Sequence, residues 1–295
     1  MPFSRSKHPP QLHADNYSVY FQLYYSYVAQ RPASKPGQTK CEPMEPDMSW
    51  LNIFKGEQPL IKTYFHGDMD KGEFGEYLTE YALTHGLIPG RYHVYTNLLV
   101  PKPGTPGQTT EVDVLMLHEK GVLVFESKNY SGWIFGSADE PKWTASLNKY
   151  TKEQFYNPIM QNRTHVRALA EYLGLCEEAF LSYIVFSERC ELKEVPPDTD
   201  EYRIIQRQNL VREVKHDLRS LEAVHTLDDL RRLKSLLDEL AADSTTQARK
   251  DHAERVQRTC PWCGKPLVER TRRADGGIFI GCTGYPECRY TRNEW

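Results

Sequence analysis

The chain has 295 residues, of which 39% are hydrophobic and 26% charged, and its 37 basic and 40 acidic side chains give a net charge of −3. This composition excludes an integral membrane protein, a generally disordered chain and a polycation of the histone type. The length is enough for one large domain or two smaller ones. No apolar run follows the first basic residues, so we expect no cleaved signal peptide.

The first 60 residues are predicted to form an irregular N-terminal extension, because four prolines interrupt the segment 32–46. A tyrosine-rich stretch at 16–30 has 15 residues, whereas a bilayer span needs roughly 20 mostly apolar residues. We interpret this stretch as a helix or strand that packs on the main domain. Contact with a membrane surface is the alternative.

Regular structure is predicted to begin with a helix at 71–86, where apolar side chains recur at helical spacing and a glycine follows them. Residues 91–100 have the composition of a strand and end at a proline. Two apolar runs follow, at 111–118 and 121–130, and only two residues separate them. This pattern predicts a tight β-hairpin.

The chain is interpreted as less regular from 131 until Asn157, which is a good helix N-cap before a proline. Apolar spacing then predicts a helix, two strands and a second helix, at 157–174, 181–187, 202–206 and 226–240. Residues 241–257 are polar and lack an apolar stripe, so we interpret them as a linker that is helical at most in part.

The predicted order of helix, three strands, helix, two strands and helix indicates an α/β domain with a mixed sheet flanked by helices. The predicted domains, in chain order, are an extension, the α/β domain, a linker and a small C-terminal unit, at 1–60, 61–240, 241–257 and 258–295.

Four of the seven cysteines lie in the C-terminal unit, in the order C-x2-C, 18 residues, C-x5-C. Two thiolate pairs with this spacing are the ligand set of a tetrahedral Zn²⁺ site, so the sequence predicts a structural zinc ribbon. The expected ligands are Cys260, Cys263, Cys282 and Cys288. Such a short unit cannot bury enough core alone, and zinc would supply its folding free energy. Four unrelated cysteines are the alternative.

The unit resembles the C-terminal zinc ribbons of bacterial type IA DNA topoisomerases in its CPxCG, GxFxGC and YPEC segments, which start at residues 260, 277 and 285. Ribbons of that family bind DNA, often single-stranded, or contact partner proteins. Eight basic and four acidic residues in 255–295 support nucleic-acid binding, and exposed aromatic rings could stack on bases. The predicted contacts are Arg270, Arg272, Arg273, Phe279 and Tyr285. A small ribbon core that includes Phe279 and Trp262 is the alternative.

A second group of candidate residues lies in the predicted hairpin. Asp113 interrupts one apolar run, and Glu126 and Lys128 project from the same face of the next, in the pattern D-x12-E-x-K. Two carboxylates on neighbouring strands could bind Mg²⁺ or Mn²⁺, and a lysine beside them could orient or deprotonate an attacking water. A structural salt bridge would produce the same pattern, so both interpretations stay open at this point.

The residues 70–190 resemble the nuclease-related domain (NERD) of the PD-(D/E)xK nuclease superfamily. The matching segments are GEFGE, EVDVL, GVLVFESKNYSGWI, NPIMQNRTHVRAL and YIVF, at 72–76, 111–115, 121–134, 157–169 and 183–186. The resemblance implies a restriction-endonuclease-like αβββαβ core. It also implies a cytoplasmic location and a catalytic set of Asp113, Glu126, Lys128, Glu76 and Gln161.

Several of these side chains allow simpler interpretations. Glu76 lies opposite an aromatic helical stripe, so its face could point to solvent instead of to the cleft. Gln161 and His165 share one helical face. We expect Gln161 to bind phosphate or a metal-bound water, whereas His165 is interpreted as a surface or N-cap-region histidine. Both Trp133 and Trp143 are predicted to lie in the core.

The sequence therefore predicts a metal-dependent nuclease that hydrolyses phosphodiester bonds in DNA processing or repair, targeted by its zinc ribbon. The expected partner is nucleic acid, with DNA preferred over RNA, and no membrane span is expected. The alternative is a catalytically inactive nuclease fold that serves as a DNA-binding or protein-scaffold module. A protein adaptor with a zinc ribbon is the third class.

Overall fold

A computed structural model describes residues 71–148 and 150–293. The predicted extension at 1–60, with its tyrosine-rich stretch, lies outside these residues. The helices are α1 to α5, at Lys71–His85, Pro158–Leu173, Leu210–Ser220, Leu227–Asp243 and Thr246–Gln257. Within the two described ranges, no helix has the length and apolarity that crossing a membrane requires.

The strands form three sheets. Strands β1 to β6 are Tyr92–Pro101, Thr109–His118, Gly121–Lys128, Gly132–Phe135, Lys142–Ser146 and Lys152–Tyr156. Strands β7 to β12 are Phe180–Phe186, Cys190–Glu194, Tyr202–Gln206, Leu267–Thr271, Ile278–Cys282 and Thr291–Arg292.

The central sheet has the order β1-β2-β3-β7-β9. Its first three strands are antiparallel, and β7 and β9 run parallel to β3. One face packs against α2 and α4, and the other against α1 and α3, so alternate residues of β2 and β3 enter two separate cores. The prediction of a mixed sheet flanked by helices is confirmed.

A second sheet, β6-β5-β4-β8, occupies the region that the sequence indicated to be less regular. Its strands have only four or five residues, too few to establish a clear alternation. It buries Trp143 completely together with Ile134, as predicted for that tryptophan. The prediction for Trp133 is wrong, since its side chain is 46% exposed. The neighbours Trp133 and Ile134 point to opposite faces of the strand.

Two helical segments also differ from the sequence prediction. Helix α3 was not predicted from the sequence. Its buried residues are Leu210, Val214 and Leu218, and charged residues make up much of the rest of this short helix. The segment 241–257 is helical over most of its length and contacts the α/β domain. Arg249 of α5 donates a 2.6 Å hydrogen bond to Glu111 on β2. This segment is therefore a docked helix, while the domain boundaries themselves stay predictions.

The zinc ribbon has the predicted antiparallel pair, β10 and β11, in a register that places Leu267 opposite Cys282. The short strand β12 completes the sheet. Its core contains Leu267 and Ile280 with three of the four cysteines, and Tyr290 packs against it. Trp262 is 53% exposed and lies outside this core. The Trp262 side chain is therefore accessible to a ligand.

Candidate functional site

The two candidate carboxylates lie side by side, because β2 and β3 are antiparallel neighbours. The Oδ2 atom of Asp113 accepts a 2.8 Å hydrogen bond from the backbone N–H of Ser127, the residue after Glu126. Glu126 itself is fully buried. A buried carboxylate is costly unless charged or hydrogen-bonding groups satisfy it, so its partners define the site.

Lys128 is the first of these partners. Its Nζ atom lies 2.5 Å from Glu126 Oε1 and also donates a 3.1 Å hydrogen bond to Gln161 Oε1. Gln161 is in the first turn of α2, whose N-terminus is capped by the Asn157 side chain. The structure therefore brings Gln161 to the lysine, as a hydrogen-bond acceptor that fixes where the ammonium group points.

His165 is the second partner, and the interpretation of it as a surface histidine is wrong. Its side chain is 3% exposed, and Nε2 lies 3.0 Å from Glu126 Oε2. Its Nδ1 atom lies 2.8 Å from the hydroxyl of Thr110 on β2. With Glu126 ionised, Nε2–H donates to the carboxylate. The spacing of four residues from Gln161 was the available signal, because it places both side chains on the same face of α2.

The charges of the site act on one another. Burial, together with the like charges of Glu126 and Glu76, raises the pKa of Asp113 well above its usual value. Burial also opposes ionisation of Glu126, but Lys128 and His165 outweigh it and lower the pKa of that carboxyl. Burial disfavours the ammonium form of Lys128, yet Glu126 and Asp113 raise its pKa overall. At neutral pH the site therefore holds a carboxylate–ammonium pair beside a second carboxyl group whose pKa is raised.

Glu76 lies on α1, which packs closely against the end of β3. A Cβ atom at Gly75 would lie 2.8 Å from the Cβ of Asn129, so only glycine allows this approach. One turn later the hydroxyl of Thr79 lies 3.2 Å from that of Ser127. Glu76 is half-buried, and its charge acts on Asp113. Glu76 is therefore close enough to the carboxylate site to act on its charge, and its role in the cleft stays a prediction.

The four ribbon cysteines converge on one point. Their sulfur atoms all lie within 4.8 Å of one another, with 3.6 Å between Cys260 and Cys288 and 3.3 Å between Cys263 and Cys282. Tetrahedral zinc with Zn–S bonds near 2.3 Å requires sulfur separations of about 3.8 Å. Gly264 has φ +71°, which allows the knuckle turn after the first pair. The backbone N–H of Lys265 helps to lower the pKa of Cys263 to about 7. This set fits structural Zn²⁺.

The predicted nucleic-acid contacts occupy two places on the ribbon. Arg270 lies opposite Phe279 in the β10–β11 register, and its guanidinium is 5.9 Å from the ring centroid of Tyr285. The Tyr285 side chain is 64% exposed. Arg272 and Arg273 are exposed in the turn between the two strands. Arg270, Phe279 and Tyr285 therefore form one arginine–aromatic surface. Arg272 and Arg273 lie at the tip of the hairpin.

Comparison with known proteins finds a family match in each of two segments of the chain. Residues 71–187 match the family model of the nuclease-related domain, and residues 257–294 match that of the topoisomerase DNA binding C4 zinc finger. An uncharacterized protein of Bacillus anthracis is 36% identical over 135 residues, which are 46% of this chain and 61% of the relative. No solved structure matches the chain.

The ribbon has its own relatives. DNA topoisomerase 1 of Methanothermobacter thermautotrophicus is 44% identical over 43 residues, which are 15% of this chain and 6% of that enzyme. DNA topoisomerase 1 of Mycoplasma genitalium is 38% identical over 50 residues, 17% of this chain and 7% of the enzyme. The chain thus spans less than two thirds of each of these relatives. It contains a nuclease-related domain at residues 71–187 and a topoisomerase-type C4 zinc ribbon at residues 257–294.

Proposed function

We propose that this protein is a metal-dependent nuclease that hydrolyses phosphodiester bonds, in DNA rather than RNA, during DNA processing or repair. The observation that carries the proposal is the convergence of Asp113, Glu126 and Lys128 where β2 and β3 meet, with Gln161 held against the lysine. Its cytoplasmic location remains a prediction from the sequence.

Asp113 and Glu126 are the residues that would hold Mg²⁺ or Mn²⁺, with the carbonyl of Ser127 as a further oxygen ligand. Burial is the largest cause of the raised pKa of Asp113, and the negative charges of Glu126 and Glu76 add to it. These two neighbouring charges support the fit, because they favour a cation at this place. A divalent cation held by Asp113 and Glu126 would offset this negative charge. When bound, such an ion polarises the phosphoryl oxygen that it contacts.

Lys128 acts through its positive charge. Because its pKa is raised, the amine keeps its proton at neutral pH and is a poor general base. The ammonium can donate hydrogen bonds to a water molecule and to a phosphate oxygen, and Gln161 limits the directions that it can take. Of the two roles that the sequence left open, orientation of the attacking water is the one that this electrostatic environment supports.

The proposal is tested with the purified chain on labelled DNA and RNA, with and without Mg²⁺ or Mn²⁺. We expect Mg²⁺-dependent cleavage of DNA, and its loss in Asp113→Asn and Lys128→Met. Asp228→Asn and Lys250→Met change the same side-chain types at exposed helix positions and should cleave like the wild type. Titration with Mn²⁺ by calorimetry gives a second readout, because Asp113→Asn should lose this binding. Cleavage that survives both site variants would refute the proposal.

A specific observation favours one other candidate, an inactive nuclease fold that only binds nucleic acid or a partner. Both carboxylate oxygens of Glu126 are engaged within the protein, by Lys128 and by His165. Such a closed network could serve stability alone. This candidate predicts nucleic-acid binding with no cleavage of any DNA or RNA form, and unchanged Mn²⁺ titrations in Asp113→Asn.

A further inference from the structure

The second sheet has an outer face that differs from the rest of the domain surface. Alternation along its strands turns Ile134 and Trp143 inward, while Trp133 and Tyr156 point outward with exposures of 46% and 39%. Three lysines lie beside these rings. We call this surface the aromatic–lysine face, and it consists of Trp133, Lys142, Lys152, Tyr156 and Lys193.

The strand register brings these side chains together. Trp133 on β4 lies opposite Ser146 on β5, and Ser146 lies opposite Lys152 on β6, so all three share one face of the sheet. Lys142 lies opposite Tyr156 on the same face. The Nζ atom of Lys193 lies 5.7 Å from the ring centroid of Trp133, within the range of a cation–π contact. Exposed aromatic rings accompanied by ammonium groups are what unpaired bases and their phosphates require.

Two acids on edge strand β8 reduce the positive charge of this surface. Glu191 is already paired with Lys193, and Glu194 lies at the far end of the strand. Lys142 and Lys152 lie on the two strands away from that edge. The positive charge is therefore concentrated toward β5 and β6.

The same surface continues onto the zinc ribbon. Lys142 Nζ lies 6.0 Å from the ring centroid of Trp262 and 5.9 Å from that of Tyr290. These two rings contact each other edge to face at 5.4 Å. The ribbon matches a DNA-binding family, so the aromatic–lysine face is continuous with a surface of nucleic-acid-binding type.

The other side of the second sheet leads toward the carboxylate site. Tyr130, two residues after Lys128, stacks on Phe155 of β6 with 4.4 Å between ring centroids. Burial raises the pKa of the Tyr130 phenol, and the charges of Lys128 and Glu126 also act on that pKa. The inner face of the second sheet therefore lies next to the proposed catalytic residues, while its outer face continues onto the ribbon.

We propose that the aromatic–lysine face, together with Trp262 and Tyr290, binds a single strand of nucleic acid that continues from the ribbon across the outer face of the second sheet. This inference rests on the proposed function and adds a binding surface for the substrate. Bases stack on the exposed rings, and the lysines contact phosphates. A duplex keeps its bases paired inside, so the rings favour single-stranded over double-stranded nucleic acid.

The test is fluorescence anisotropy of the full-length protein with a labelled thymidine oligonucleotide of about 25 nucleotides, over a range of salt concentrations. We expect Trp133→Leu to weaken binding about tenfold, since stacking on one base contributes roughly 1–3 kcal/mol. Trp133→Phe keeps a ring and should recover most of the affinity. The double variant Lys142→Ala/Lys152→Ala should reduce the slope of log K against log salt by about 1.4.

Lys250→Ala is the matched charge control, because this exposed lysine lies on α5 away from the second sheet. Its binding and salt slope should equal those of the wild type. The inference is overturned if Trp133→Leu and the double lysine variant bind the oligonucleotide like the wild type. It is also overturned if they weaken binding of a duplex by the same factor.

The two proposals fail in distinguishable ways. Asp113→Asn should lose cleavage and keep full oligonucleotide affinity. If Arg270→Ala weakens binding while the variants of the second sheet do not, the ribbon alone binds the strand and the nuclease proposal stands. If the sheet variants weaken binding as expected but no protein cleaves, the inference on the surface stands and the nuclease proposal fails.

Discussion

The carboxylate site and the zinc ribbon are two polar centres that are stabilised in opposite ways. Glu126 is held by hydrogen bonds from Lys128 and His165 between the cores of a large domain. The ribbon has only Leu267 and Ile280 as apolar core residues around its cysteines. Changes at the first centre must therefore affect stability and chemistry together, whereas the ribbon can be unfolded through its metal while the domain remains intact.

Zinc removal is the largest expected effect. A chelator, or the double variant Cys260→Ser/Cys282→Ser, should unfold the ribbon, because zinc binding to such units contributes about 10–16 kcal/mol. The thermal transition of the α/β domain should remain, since its two cores contain no ribbon residue. Metal analysis measures the bound zinc, and calorimetry measures the thermal transitions of the ribbon and of the α/β domain. Cys176→Ser removes an exposed free thiol and should keep the zinc. Loss of both thermal transitions together would show that the ribbon does not unfold independently of the α/β domain.

Truncation of the central carboxylate should have the next largest effect. Glu126→Ala removes the carboxylate that Lys128 and the buried His165 share, which we expect to cost about 3–5 kcal/mol of unfolding free energy. Glu126→Gln retains an acceptor oxygen and should cost less. Urea unfolding measures the loss. Asp228→Ala, at an exposed position, should change stability by less than about 0.5 kcal/mol. Equal stability of the two alanine variants would show that the network carries no stability.

The pH dependence of stability that Asp113 causes should be the smallest effect. Its folded-state pKa is raised above the unfolded value near 3.9. Without Mg²⁺, the protein therefore loses stability as the pH rises through the folded-state pKa. Asp113→Asn removes this loss and should therefore be more stable than the wild type once the pH exceeds the folded-state pKa. Urea unfolding from pH 5 to 8 measures it, with Asp228→Asn as the control. Parallel curves for wild type and Asp113→Asn would contradict the assigned direction.

Local pattern was enough to predict the central elements. The hairpin of β2 and β3 follows from two apolar runs separated by two residues, and it places Asp113 next to Glu126. Cysteine spacing likewise predicted the ribbon, because the metal geometry constrains where four thiolates can lie. The catalytic roles of Asp113, Glu126, Lys128, Glu76 and Gln161 stay predictions.

The features that were not predicted from the sequence depend on contacts between residues that are far apart in the chain. His165 looked like a surface residue because its partner Glu126 lies 39 residues earlier and meets it only when α2 packs on the sheet. Strand β4 pairs with β8 across more than 50 residues, and both are too short to show a period. Trp133 and Trp143 cannot be assigned to opposite environments before these pairings are known.

The most direct test of the account compares wild type and Asp113→Asn in two assays on the same single-stranded DNA. The account predicts that the wild type cleaves with Mg²⁺, that Asp113→Asn binds with equal affinity, and that Asp113→Asn does not cleave. Equal cleavage by the two proteins, or binding without cleavage by the wild type under any divalent metal, would contradict the assignment of this site as a nuclease.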